Sequence, residues 1–215
     1  MIIPGDPQPR LSRAAAGRLS LYLRRLELLE RNGTVQVSSL ALGDALCIPD
    51  TQVRKDLAAM GNRLGHPGVG YDVPELITAI RSRMGIDREW RAALVGVGNL
   101  ARALLRYDGF SSRGFRVVCL FDSDPAKVGK TVEGLSIHSL AQTKPVIRSM
   151  NAELGIIAVP GSSAQMVADV LIDAGVKGIL NFAPGLIRVP LGVNVVNVDL
   201  TIQLEQLAFM VHVGD

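Results

Sequence analysis

The stretch from Ala92 to Asp122 constrains this chain more than any other. It reads as a buried strand (AALVGVG), a glycine turn opening a helix (GNLARALL), a surface loop, and a second strand (FRVVCLFD) ending in an acid. Gly96, Gly98 and Ala101 fill the three places of a G-x-G-x-x-G/A fingerprint, and Asp122 lies 24 residues beyond Gly98. Such glycines let backbone amides and a helix N-terminus approach a pyrophosphate, while the acid accepts ribose hydroxyls. The candidate contacts are therefore Gly96, Val97, Gly98, Asn99, Leu100, Ala101 and Asp122. A carboxylate at that strand end repels a 2′-phosphate, so the pattern favours NAD over NADP.

Buried strands recur at Leu154 to Val159, Val176 to Leu180 and Val193 to Val198, with a helix from Ser162 or Ser163 to Ala174. This predicts a Rossmann-like, doubly wound, mostly parallel sheet. Asn181, Phe182, Ala183 and Pro184 fall beyond a strand's carboxyl end and are expected to line the nicotinamide side. After Asp122 the loop is polar, and on pattern alone its Lys127 and Lys130 read as solvated. Leu135 to Val146 has no clear periodicity. Asp199 is positioned to cap a final helix, Leu200 to Val211, that is apolar on most sides and packs either on its own sheet or in another subunit. No Ser-Tyr-Lys or His-Asp set accompanies the fingerprint, which points to a nucleotide used as a signal and not to an enzyme.

The N-terminal part reads differently. Ser12 caps a helix from Arg13 to Arg31, whose Leu19, Tyr22, Leu23, Leu26 and Leu29 recur at three- and four-residue spacing. Ser38 or Ser39 starts a short helix with Leu40, Leu42 and Leu46 as candidate core positions, and Ile48-Pro49 breaks it. In the third helix, TQVRKDLAAM, Val53, Leu57 and Met60 face inward and Gln52, Arg54, Lys55 and Asp56 outward. The segment GNRLGHPGVGYDV follows as a hairpin or loop whose tip can bend sharply, and PELITAIRSRMG as a fourth helix. Three short helices followed by a hairpin predict a winged helix-turn-helix with Thr51, Gln52 and Lys55 near bases or phosphates. The full DNA-binding set is Ser38, Ser39, Thr51, Gln52, Arg54, Lys55, Arg63 and Gly68.

Charge agrees with that division: residues 1–88 carry 12 Lys/Arg against 9 Asp/Glu, and residues 89–215 carry 11 against 11. Cys47 and Cys119 sit in apolar runs and read as buried reduced thiols, and the three histidines form no metal constellation. The Pro-rich residues 1–9 read as an arm, and no stretch has the length and apolarity of a membrane span. The expectation is a cytoplasmic protein with no metal and no membrane contact. Its domains are a winged-helix unit at 1–85, a nucleotide-binding unit at 86–199 and a C-terminal dimerisation helix at 200–215.

These residues resemble the redox-sensing transcriptional repressor family called Rex. The matching runs are QVRKDL (52–57), GVGY (68–71), GVGNLARALL (96–105), YDGF (107–110), FDSDPAKVG (121–129), KGILNFAP (177–184) and NVD (197–199). The resemblance implies a homodimer that binds double-stranded, palindromic operator DNA and is released when NADH binds, with NADH and NAD+ as regulatory ligands. It adds Lys127 to the cofactor-binding set and implies a domain-swapped C-terminal helix. It also implies switch roles for Arg24, Tyr107 and Asp199, with Asp199 paired to Arg24 in the DNA-competent state and to Tyr107 in the NADH state. Met60 stands where the family usually has an aromatic residue, and His66-Pro67 where it usually has a basic pair. The competing readings are an NAD-dependent oxidoreductase and a nucleotide-binding interaction protein related to CoA-binding domains.

Overall fold

A computed structural model describes residues 11–61, 64–66 and 68–214. The N-terminal arm, Arg63 and Pro67 lie outside the described residues. The chain divides into two compact units that meet between Arg88 and Glu89.

In the first unit, helix α1 (Arg13–Arg31) starts where the Ser12 hydroxyl accepts a bond from the Ala15 amide, 3.1 Å. Its apolar stripe, Leu19, Tyr22, Leu23 and Leu26, is buried. Helix α2 (Ser39–Asp44) is capped by Ser38, which accepts from the Ala41 amide, and α3 (Asp50–Ala58) follows after a tight turn. Strands β1 (Gln36–Val37), β2 (Gly65–His66) and β3 (Gly70–Asp72) make an antiparallel sheet in the order β1-β3-β2. The β2–β3 hairpin is the wing, and Gly68 takes φ 79° at its tip, where a Cβ would be strained. Asp72 caps α4 (Val73–Met84), whose Leu76, Ile77 and Ile80 close the core over α1 and α3.

Three sequence expectations need correction in this unit. Leu40 is 59 % exposed, because on a helix it lies about 200° around the axis from Leu42, which takes the core position. Cys47 is exposed and not buried: it sits in the turn between α2 and α3 at φ 53°, and the core there is filled by Leu42, Leu46 and Ile48. Asp56 is buried and not outward-facing, for it accepts bonds from three side chains described below.

The second unit is built on strands β4 (Trp90–Val95), β5 (Phe115–Asp122), β6 (Thr131–Val132), β7 (Leu135–Ser139), β8 (Leu154–Ile157), β9 (Gly178–Asn181) and β10 (Asn194–Asn197). Their order is β10-β9-β8-β4-β5-β7-β6, parallel throughout except for β6 at one edge. Side chains alternate between two cores: Ala93, Val95, Cys119 and Phe121 face one side, Ala92, Leu94 and Leu120 the other. Helices α5 (Asn99–Leu105), α6 (Asp108–Ser111), α7 (Thr143–Met150) and α8 (Gly161–Ala174) connect the strands. The segment without clear periodicity holds β7, a 3-10 turn at Leu140–Gln142 and the start of α7. The chain moves outward from β4 through β5 and β7, then returns to β8 on the opposite side of β4. That reversal is the topological switch point at which open sheets bind ligands. Helix α9 (Leu200–Val213) ends the described chain, and no residue of it is buried.

Candidate nucleotide site and nucleic-acid face

At the carboxyl ends of β4, β5 and β8 lies a cavity of about 300 Å³. One wall is Val95 to Gly98, a second is Asp122 to Asp124 with Lys127, and the third is Ala158 to Pro160 with Ser163 and Met166 of α8. The two fingerprint glycines do different work there. Gly96, at φ 93°, leaves no room for a side chain, because a Cβ would stand 2.5 Å from the Ala158 carbonyl oxygen. Gly98 has nothing within 4 Å of where a Cβ would be, and it opens the N-terminus of α5 to the cavity. This open cradle above unpaired helix amides fits a phosphate group. Ala101 is fully buried and serves helix–sheet packing, while Asn99 and Leu100 are exposed on the first turn of α5 and do not line the cavity.

Asp122 is held from several sides. Its Oδ2 accepts from the Val97 amide at 2.8 Å and from Lys127 Nζ at 2.9 Å, and its Oδ1 accepts from the Asp124 amide at 2.9 Å. Burial alone would raise its pKa, but the bonds from Asp124, Lys127 and Val97 outweigh this and hold it below the ordinary carboxylate value. Three bonds leave acceptor capacity on Oδ1 for a ribose hydroxyl. Lys127, which pattern alone leaves solvated, is thus an ion-paired member of the cavity wall. Sequence reading missed the β8 wall altogether; the available signal was Pro160-Gly161 directly after a buried strand.

Asn181 is fully buried, and its side chain is used within the protein. Its Nδ2 donates to the carbonyls of Ala183 and Gly185 and to Asn197 Oδ1, and its Oδ1 accepts from the Ala183 amide. It shapes the turn that carries Phe182, Ala183 and Pro184 and offers no spare donor. That turn adjoins α8, where a Cβ on Gly161 would stand 2.8 Å from the Pro184 carbonyl oxygen. None of these four residues is part of the cavity wall.

Tyr107 is 59 % exposed and stacks edge-on against Phe110, with centroids 5.4 Å apart. Asp199 caps α9, accepting from the amides of Thr201 at 2.9 Å and Ile202 at 3.4 Å. No bond joins Tyr107 to Asp199 among the described residues. Arg24 is exposed on α1.

On the first unit, Thr51, Arg54 and Lys55 are exposed along α3 and Gln52 is half-buried. Arg54 Nη1 binds Asp50 Oδ2 and reaches Ser39 Oγ at 3.3 Å, tying α3 to the start of α2. Ser38 and Gly68 are exposed, at the α2 cap and the wing tip. Among the described residues no cluster of His, Cys, Asp and Glu has the arrangement of a metal site, and no helix is long and apolar enough to cross a membrane.

A winged helix-turn-helix joined to a Rossmann-like sheet with a phosphate cradle defines a ligand-responsive transcription regulator. Comparison with known proteins narrows this. Residues 10–58 match the family described as putative DNA-binding protein N-terminus, and residues 87–185 the family described as CoA binding domain. The redox-sensing transcriptional repressor Rex of Rhodopirellula baltica is 44 % identical over 208 residues, covering 97 % of this chain and 87 % of the relative. That of Carboxydothermus hydrogenoformans is 45 % identical over 203 residues, covering 94 % and 97 %. The crystal structure of RSP, a Rex-family repressor, is similar at a TM-score of 0.86 and 30 % identity, covering 94 % of each chain. The complex with β-NAD+ and operator DNA gives a TM-score of 0.89 at 31 % identity, covering 94 % of this chain and 93 % of that one. The complex with β-NADH gives 0.84 at 30 %, covering 94 % and 95 %. The chain belongs to the Rex family of redox-sensing transcriptional repressors, which are regulators and not enzymes.

Proposed function

We propose that this protein represses transcription as a cytoplasmic homodimer seated on a palindromic operator, holds NAD(H) in the cavity between β4, β5 and β8, and leaves the DNA when NADH binds. The observation that carries this reading is the likeness, over both units at once, to a repressor crystallised with β-NAD+ and operator DNA. The phosphate cradle at Gly98 and the anchored Asp122 supply the cofactor end, and exposed Thr51, Arg54 and Lys55 the DNA end.

In this reading residues 1–85 bind DNA, 86–199 bind the dinucleotide, and 200–215 cross to a second copy. The swap is supported by α9, which exposes Leu200, Ile202, Leu204, Leu207, Phe209, Met210, Val211 and Val213. The cofactor site comprises Gly96, Val97, Gly98, Asp122 and Lys127 of the cavity wall, with Asn99, Leu100 and Ala101 contributing through the backbone of the first turn of α5, and the turn at Asn181 to Pro184, outside that wall, lies toward the nicotinamide. Asp199 alternates between Arg24 and Tyr107, and moving one carboxylate between two partners biases a bistable interface without chemistry.

The test is selection of duplex DNA from a random pool by the full-length protein, followed by separate titrations with NADH and NAD+. Enrichment of an inverted repeat that NADH releases and NAD+ does not is the expected result. Equal release by both nucleotides would overturn redox sensing. A Tyr107→Phe variant that still leaves DNA at the wild-type NADH concentration would remove Tyr107 from the switch.

A further inference from the structure

The buried carboxylate of Asp56 fixes how Gln52 faces outward. Asp56 Oδ2 accepts from Arg18 Nε at 2.6 Å and from the Tyr22 hydroxyl at 2.9 Å. Its Oδ1 accepts from Arg18 Nη2 at 2.7 Å and from Gln52 Nε2 at 2.8 Å. Four bonds occupy the roughly four acceptor sites of an ionised carboxylate. Burial would raise the pKa of Asp56, but the bonds from Arg18, Tyr22 and Gln52 outweigh it and hold the group ionised. An ionised carboxylate only accepts, so the end of the Gln52 amide that faces it is the nitrogen, which gives it one of its two hydrogens, and the carbonyl oxygen and the second hydrogen are left for a partner outside. Rotating the amide would set oxygen against carboxylate inside the unit, beside a site that Arg18 and Tyr22 hold in place.

Gln52 stands in the first turn of α3, the part of a recognition helix that meets base edges. In the major groove adenine and cytosine present an exocyclic amine, N6 or N4, whereas guanine and thymine present acceptors. We infer that Gln52 reads an amine-bearing base through its carbonyl oxygen, adenine where the second Nε2 hydrogen also donates to N7 and cytosine where the oxygen acts alone, and that Asp56 is the positioning residue which keeps this oxygen available. The inference rests on the reading of α3 as the recognition helix. It adds the chemical identity of one base per half-site.

The experiment uses the full-length protein and the operator selected from a random duplex pool. In each half-site, single adenines are replaced by purine, which lacks the N6 amine, and single cytosines by 2-pyrimidinone, which lacks the N4 amine. Binding is followed by fluorescence anisotropy with wild type, with Gln52→Ala and with Gln52→Met, which retains the side-chain length should the alanine variant not fold. The expected result is one position per half-site at which amine removal weakens wild-type binding by about 3- to 10-fold, the effect of one hydrogen bond. That penalty vanishes in both variants while penalties at other positions persist, a position-specific loss that a general weakening of α3 would not give. The inference is overturned if every amine penalty survives the substitutions, or if the position sensitive to Gln52 is a guanine or thymine. Failure to enrich any duplex would instead overturn DNA binding itself.

Discussion

Asp56 shows how one carboxylate organises the DNA-binding unit. It joins α1, through Arg18 and Tyr22, to the first turn of α3, through Gln52. Its pKa in the folded protein lies below the ordinary 3.8, so its stabilising contribution is complete above about pH 4 and is lost as the pH falls through the folded value. Urea unfolding of the helical unit between pH 6 and 2 is expected to show a midpoint that drops below pH 4. An Asp56→Asn variant is expected to be about 2 kcal/mol less stable at neutral pH, with a flatter profile in acid. The two fingerprint glycines give a second contrast. Gly96→Ala brings a methyl against the Ala158 carbonyl at a positive φ and is expected to cost about 1–3 kcal/mol of stability by thermal melting. Gly98→Val meets open space and is expected to leave the melting temperature near wild type while weakening NADH binding at least about tenfold, read by titration calorimetry. The fingerprint was legible in the sequence, but this division of labour was not. It depends on Ala158, a residue 62 positions beyond Gly96 whose carbonyl approaches only when β8 is laid beside β4.

At the level of elements, what periodicity encodes was readable and what long-range partners decide was not. The 19-residue α1 and its capping serine follow from a regular stripe and a local bond. Strands β4 and β5 follow from apolar runs long enough to be buried on both faces. The two-residue strands β1, β2 and β6 carry no period at all and exist because a neighbour supplies their ladder. Asp56 was misread for the same reason: its polarity says surface, and only Arg18, 38 residues earlier, makes its burial affordable. Helix α9 is the element with the most at stake. Its cap at Asp199 satisfies two first-turn amides, so Asp199→Ala is expected to cost about 1 kcal/mol of helix stability in addition to any effect on the NADH response. Ending the chain after Val198 is expected to give a monomer by light scattering that still binds NADH, because none of the cavity wall lies in α9.

At the level of the whole molecule, each unit has its own core: one in residues 19–80, and two flanking the sheet of the second unit. The cavity at the ends of β4, β5 and β8 lies wholly in the second. Calorimetry of the full chain is therefore expected to show NADH stabilising that unit, by about 2.7 kcal/mol at a hundredfold excess over Kd. Residues 89–215 alone are expected to fold and bind NADH without retaining operator DNA. The apolar surface of α9 has a further consequence for the cell. On the proposed reading, in which a second copy covers the last helix, the number of competent repressors rises with the square of the subunit concentration when subunits are scarce. Repression then switches on over a narrower range of expression than a monomer would allow, and a cell diluting the protein by growth loses control of its target promoters sooner than it loses the protein.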